Sequence, residues 1–229
     1  MAVAAQPPLL AVRVGAILGI DEAGRGAVLG PLVVAGVCIA EDGLSRLWEL
    51  GARDSKLVPR ARRRAVVGAL AGAGARGRVV VIPASAVNGD NLTSLELAAA
   101  ASLVDRLTPE RVVVDAPVAP LAVGRFISAL AVRCAAPPPA IAAFPKADRD
   151  HPAVAAASLL AKVVRDAFVV ALHRHYGDFG WGYPGEAKVQ AFLAQWLAHH
   201  GRLPPICRTR WRSVQRLLFP ELTFPVGPW

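Results

Sequence analysis

The chain has 229 residues and is 54% apolar, enough for one well-packed domain and too apolar for a disordered segment. Its 26 Lys and Arg against 17 Asp and Glu leave a net charge of +9, an excess that points to a polyanionic partner, most simply nucleic acid. Cys38, Cys134 and Cys207 are far apart, which argues against a zinc ribbon or a disulfide framework. No uncharged apolar stretch reaches the about 20 residues of a membrane helix, and Met1 to Gln6 carries no basic start of a signal peptide, so a soluble cytoplasmic protein is expected.

In chain order, Val14 to Ile20 and Pro31 to Ala40 read as strands joined by a Gly-rich turn, as in a hairpin. Pro59 to Ala73 reads as a helix with proline at its start, carrying Arg60, Arg62, Arg63 and Arg64. These arginines suit either the wet face of a helix or a track along a nucleic-acid backbone. A third strand follows at Arg78 to Pro83, then an Ala/Leu helix at Leu92 to Leu107. The apolar run Val112 to Val114 ends in Asp115 and predicts a central strand. Leu121 to Leu130 predicts a helix, Ala140 to Phe144 a fifth strand, and His151 to Tyr176 a long helix. Helices at Glu186 to His199 and Trp211 to Phe219 complete the chain. This order implies an α/β fold, a mixed central sheet with helices on both faces. Residues 1–200 form one domain in this reading, and 201–229 a helical extension packed on it.

The segment Gly19-Ile20-Asp21-Glu22-Ala23-Gly24-Arg25-Gly26 is the most informative in the chain. Two carboxylates at the end of an apolar strand cost burial energy unless something neutralises them, and a strand end opening into a Gly turn lets both reach one cation. Asp115 ends a second buried strand, and Asp148 precedes the long helix, where the helix dipole favours negative charge. Parallel strands bring their C-terminal ends together, the place where α/β sheets build their sites. Four hard oxygen donors with no Cys or His cluster suit Mg²⁺ or Mn²⁺, and two such ions would cleave a phosphodiester. A dinucleotide-binding reading of the glycines fails because a strand, not a helix, follows them. A non-catalytic binding module would leave the carboxylates unexplained.

The chain resembles the ribonuclease HII family, type 2 ribonuclease H, with an archaeal cast. The resemblance rests on the first segment, on Asp54-Ser55-Lys56-Leu57, Asn91-Leu92 with Glu96, and Val113-Val114-Asp115. It continues through Lys146-Ala147-Asp148, Ala156 to Asp166, and Tyr176 to Pro184, in family order over roughly residues 17–212. It implies a ribonuclease H-like fold and an endonuclease acting on RNA–DNA hybrids and 5′ to single ribonucleotides in duplex DNA, leaving 3′-hydroxyl and 5′-phosphate ends. By this resemblance Asp21, Glu22, Asp115 and Asp148 hold two Mg²⁺ or Mn²⁺ ions. Gly24, Arg25 and Gly26 read the ribose 2′-hydroxyl, the group that tells RNA from DNA, and Tyr183 stacks on the following deoxyribose. Lys56, Ser158 and Lys162 lie in matched segments and are candidate phosphate contacts. The chain departs from the family pattern at Ala27, Ala116, His151 and Arg210. A monomer is expected. Around Gln215, Leu218 and Phe219 the sequence is weakly similar to a sliding-clamp peptide but has Glu221 and Leu222 where paired aromatics would stand.

Overall fold

The computed structural model describes residues 15–53 and 58–218. Five strands form one mixed sheet in the order β3-β2-β1-β4-β5. They are β1 (Ala16–Ala23), β2 (Leu32–Ala40), β3 (Arg76–Ile82), β4 (Arg111–Asp115) and β5 (Ala140–Phe144). The hairpin is present: β1 and β2 pair antiparallel from Ala16 opposite Ala40 to Ala23 opposite Val33. β4 lies parallel to β1, with Ile20 level with Val114, and β5 lies parallel to β4. The C-terminal ends of β1, β4 and β5 therefore meet at one edge of the fold.

Eight helices complete the described residues. They are α1 (Leu44–Glu49), α2 (Arg60–Ala69), α3 (Ala84–Gly89), α4 (Leu92–Leu107), α5 (Val123–Ala131), α6 (Pro152–Tyr176), α7 (Ala187–His200) and α8 (Arg212–Leu218). The sequence reading lacks α1 and α3, each six residues long, too short to establish a helical period. It also ends β1 at Ile20, three residues early, because two carboxylates look like a strand's boundary when they are in fact inside it.

Period-two alternation sorts β1 onto two faces. Leu18 and Ile20 join Val112 and Val114 of β4 in a core against α4 and α5, with Leu97, Leu103, Phe126 and Leu130. The other face receives α6, whose Ala153, Ala156, Ala157 and Leu159 pack with Val37, Ile39, Leu47 and Val66. Gly19 is required there: a methyl group at its α-carbon would lie 2.2 Å from the Ala153 carbonyl carbon. That absence of a side chain lets α6 ride directly on β1. A third cluster joins the β1–β2 loop to the C-terminal helices, through Val28, Leu29, Val169, Phe179, Leu193, Cys207 and Val214. Among the described residues no helix is long and apolar enough to cross a membrane.

Candidate active site

Alternation decides where the carboxylates go. Asp21 shares the parity of Gly19 and so points to the α6 face, and the parallel register places Asp115 beside it on the same face. Asp148 arrives from a 3-10 turn, Ala147–Arg149, that precedes α6. It is not the cap of α6, a position held by His151. Asp115 fixes that turn itself, its Oδ1 accepting from the backbone N–H of Lys146 at 2.6 Å and of Ala147 at 3.3 Å. Lys146 takes a left-handed conformation, φ 66°, to deliver those donors. The result is one cluster: a carboxylate oxygen from each of Asp21, Asp115 and Asp148 lies within 4.8 Å of the others.

The cluster is underpinned from α6. Ser158 has no exposed surface and hydrogen-bonds Asp21, while Lys162 Nζ donates to Ser158 Oγ at 2.7 Å. Burial pushes the Asp21 carboxyl up to about 6, against the opposing pull of Lys162 and Ser158, with Asp115 adding repulsion. Asp115 is likewise raised by burial, its backbone donors working against the shift and Asp148 reinforcing it. Three acids so crowded, two of them reluctant to ionise, fit an oxygen-ligated divalent cation, whose charge would relieve the repulsion.

Glu22 stands outside this group of three. One residue along the strand, it leaves β1 towards α4, and it and Glu96 line a narrow cleft that Asp21 and Asp115 also border, with Ile20, Ala100, Val114 and Phe126. Burial, then repulsion from Asp21, Glu96 and Asp115, raises its carboxyl well above the usual range, with Arg25 opposing. Glu96 is itself buried, pushed up to about 7 by that burial, and its Oε1 accepts from Arg25 Nε at 2.9 Å.

Beyond β1 the Gly24–Gly26 turn is held from below by two buried arginines. Arg208 Nη1 donates to the carbonyls of Gly24 at 2.7 Å and Arg25 at 3.2 Å. Arg165 packs so closely under Gly24, φ 87°, that an added methyl group would meet its Nε at 2.1 Å. Only glycine serves at such a position. Arg165 also donates to the carbonyls of Pro31, Leu29 and Trp181, tying the turn to the Tyr183 loop. Ser158, Lys162, Arg165 and Val169 thus form one stripe of α6 beneath the whole site, spaced as a helical face requires.

Tyr183 is 40% exposed. Its loop is rigid: Glu186 accepts from the backbone N–H of Trp181 at 2.7 Å and of Tyr183 at 3.0 Å. The carbonyl of Gly182 accepts from Val28 and Leu29 just past the glycine turn. The Arg165 guanidinium lies 4.9 Å from the Tyr183 ring centroid. Arg60 is fixed over Trp181 at 3.4 Å and paired with Asp166, whereas Arg62 and Arg64 are exposed beside it. Lys56 falls outside the described residues.

Known proteins with this architecture settle the family. The Ribonuclease HII family profile matches residues 18–214. A Ribonuclease HII of Pyrococcus furiosus is 34% identical over 201 residues, covering 87% of this chain and 89% of its own. The chain belongs to the ribonuclease HII family. Among solved structures, ribonuclease H2 from Pyrococcus horikoshii OT3 superposes with a TM-score of 0.80 at 30% identity, covering 88% of this chain and 96% of its own. Ribonuclease HII of Archaeoglobus fulgidus, solved in a complex with PCNA, gives 0.76 at 33%, covering 86% and 95%. The expected fold, family and enzyme class are therefore correct: the protein is a ribonuclease H, a hydrolase that cuts within a nucleic-acid strand, of a family that depends on divalent metal.

Glu96, Arg165, Glu186 and Arg208 carry no role in the sequence reading. Glu96 left a trace, an acid inside the apolar run Leu95 to Ala101, as did Arg165, a charge on the buried stripe of α6. Arg208 left none, because its contacts lie more than 170 residues away in sequence.

Proposed function

We propose that the protein cleaves the RNA strand of RNA–DNA hybrids and cuts 5′ to single ribonucleotides in duplex DNA, leaving 3′-hydroxyl and 5′-phosphate ends. The convergence of Asp21, Asp115 and Asp148 at adjoining strand ends, beside the Gly24–Gly26 turn, carries this reading. These three, with Glu22 closing the site from the α4 side, would hold Mg²⁺ or Mn²⁺, one ion or a pair. Bound there, such ions supply a reactive hydroxide and shield charge on the leaving 3′-oxygen.

The chain's own groups do the rest. Ser158 and Lys162 fix the Asp21 carboxyl and partly offset the burial that disfavours its charged form, and the Lys146–Ala147 backbone fixes Asp115, so the ligand oxygens are in place before substrate arrives. Lys162, with Lys56, is the proposed contact to the phosphates beside the scissile bond; Ser158, expected as a third, has no exposed surface and acts through Asp21 and Lys162 instead. The turn Gly24, Arg25 and Gly26 meets the ribose 2′-hydroxyl through its backbone, and Gly26 is exposed and unencumbered on that side. Tyr183 packs against the next sugar, where a 2′-hydroxyl would crowd the ring, so a ribo-to-deoxy step is preferred. Its loop and the glycine turn share hydrogen bonds through Gly182, which keeps the two readers at a fixed spacing. The exposed Arg62 and Arg64 extend a basic surface for the duplex. The enzyme acts as a soluble cytoplasmic monomer in this reading. The A. fulgidus complex with PCNA supports a clamp contact; the weakly clamp-like C-terminal stretch, from Phe219 onward, lies outside the described residues.

The test is a labelled DNA duplex carrying one ribonucleotide. Mg²⁺ or Mn²⁺ should give a single cut on its 5′ side and EDTA none. Cleavage of an all-DNA duplex at the same rate would defeat the proposal.

A further inference from the structure

Arg25 would ordinarily be taken for a phosphate contact, since it sits in a substrate loop of a basic protein. Its surroundings point inward instead. Its Nε donates to Glu96 Oε1 at 2.9 Å, and that carboxylate comes from α4, 71 residues away, with only 5% of its side chain exposed. Both carbonyls flanking the arginine's own backbone, those of Gly24 and Arg25, are already taken by Arg208. Among the described residues the N–H groups of Arg25 and Gly26 have no partner. The turn is thus fastened through its carbonyls on one side and its one side chain on the other, which leaves its N–H groups as the presented surface.

Resting on the 2′-hydroxyl reading of this turn, we propose that Glu96 is a positioning residue for substrate discrimination. By anchoring Arg25 into the protein it sets the direction of the Arg25 and Gly26 N–H groups, and the arginine is a fastener, not a phosphate ligand. A buried carboxylate is costly to keep in an Ala/Leu helix. The second oxygen of Glu96, Oε2, is buried without a partner, so the residue is not there to satisfy its own hydrogen bonding. A plain apolar residue would fill the space against Ala100 and Phe126 as well. What Leu or Gln could not supply is a charged anchor for Arg25, the strong kind of hydrogen bond.

The experiment compares affinities for two duplexes identical but for one 2′-hydroxyl, measured with Ca²⁺ in place of Mg²⁺ to suppress turnover. Wild type, Glu96→Gln, Arg25→Gln and the double variant are each tested, with melting temperatures alongside. Each single variant should weaken binding of the ribonucleotide duplex by about tenfold and leave the all-DNA duplex within about twofold, the loss of one charge-assisted hydrogen bond. The double variant should be no worse than either single one, because both remove the same contact. Should Glu96→Gln fail to fold, Arg25→Gln, on the exposed side of the pair, carries the comparison. Equal weakening on both duplexes would make Arg25 a phosphate contact and overturn the inference, as would additive losses in the double variant. If wild type itself fails to distinguish the two duplexes, it is the 2′-hydroxyl reading that fails.

Discussion

Asp21 and Glu22 are covalent neighbours that leave β1 on opposite faces and border one cleft with Asp115. On the α6 face, Asp21 meets a hydroxyl and a lysine and joins two other aspartates. On the α4 face, Glu22 meets another carboxylate, Glu96, and the Arg25 side chain that Glu96 holds. The pleat alone makes the difference, since successive side chains leave a strand on opposite sides. One face gathers the three aspartates, and the other adds Glu22 beside the Arg25–Glu96 pair that holds the turn proposed to meet substrate. A single strand end thereby links the chemistry to the recognition, within one residue.

Substitution on the two sides should separate these tasks. The largest effect is expected from Asp21→Asn, which should lower cleavage about a thousandfold or more, as befits loss of charge stabilisation worth several kcal/mol. Glu22→Gln should also impair turnover yet retain more of the Mn²⁺ affinity, because Glu22 lies outside the close group of three. Titration of both variants with Mn²⁺ by calorimetry checks the order. Equal loss of ion binding in the two would erase the distinction between the faces.

Next in size is Tyr183→Ala. A lost stacking contact of about 1–3 kcal/mol corresponds to roughly tenfold to hundredfold slower cleavage of the single-ribonucleotide duplex, with uniform hybrid less affected. If Tyr183 only braced the Gly182–Pro184 turn, turnover would fall equally on every substrate and the melting temperature would drop with it.

The smallest effect is on stability. The Asp21 carboxyl titrates near 6 in the folded chain against 3.8 ordinarily, so the metal-free folded state binds more protons than the unfolded one between those values. Stability is therefore lost as pH rises from about 4 to about 6, and Asp21→Asn lacks that loss. At pH 7 without metal the variant should be more stable than wild type, by on the order of 1–3 kcal/mol, and at pH 4 nearly equal. Saturating Mn²⁺ should reverse the order at pH 7, since the ion favours the charged form. Melting curves at the two pH values, with and without metal, decide it.

Much of this was legible in the sequence. The apolar runs and the order of strands and helices implied the mixed sheet, and Asp115 at the end of a short valine run pointed to a site at parallel strand ends. The position of Asp148 was legible but its setting was not, because a 3-10 turn held by Asp115 depends on a backbone conformation at Lys146 that the sequence does not announce. The separation of Glu22 from Asp21 depended on how far β1 runs, and charged residues disguise a strand's end. Arg208 was invisible for a simpler reason: it reaches the Gly24 turn only because Leu29 and Cys207 meet across the fold. Local pattern finds residues that share an element, whereas the floor of this site is assembled from α6, α4 and the C-terminal segment at once.

The most direct measurement is the anomalous scattering of Mn²⁺ in crystals of the wild-type protein. The expected result is at least one peak within coordination distance, about 2.0–2.6 Å, of carboxylate oxygens from Asp21, Asp115 and Asp148 together. A protein that cleaves its substrate with Mn²⁺ while the ion binds away from those three aspartates would contradict the assignment.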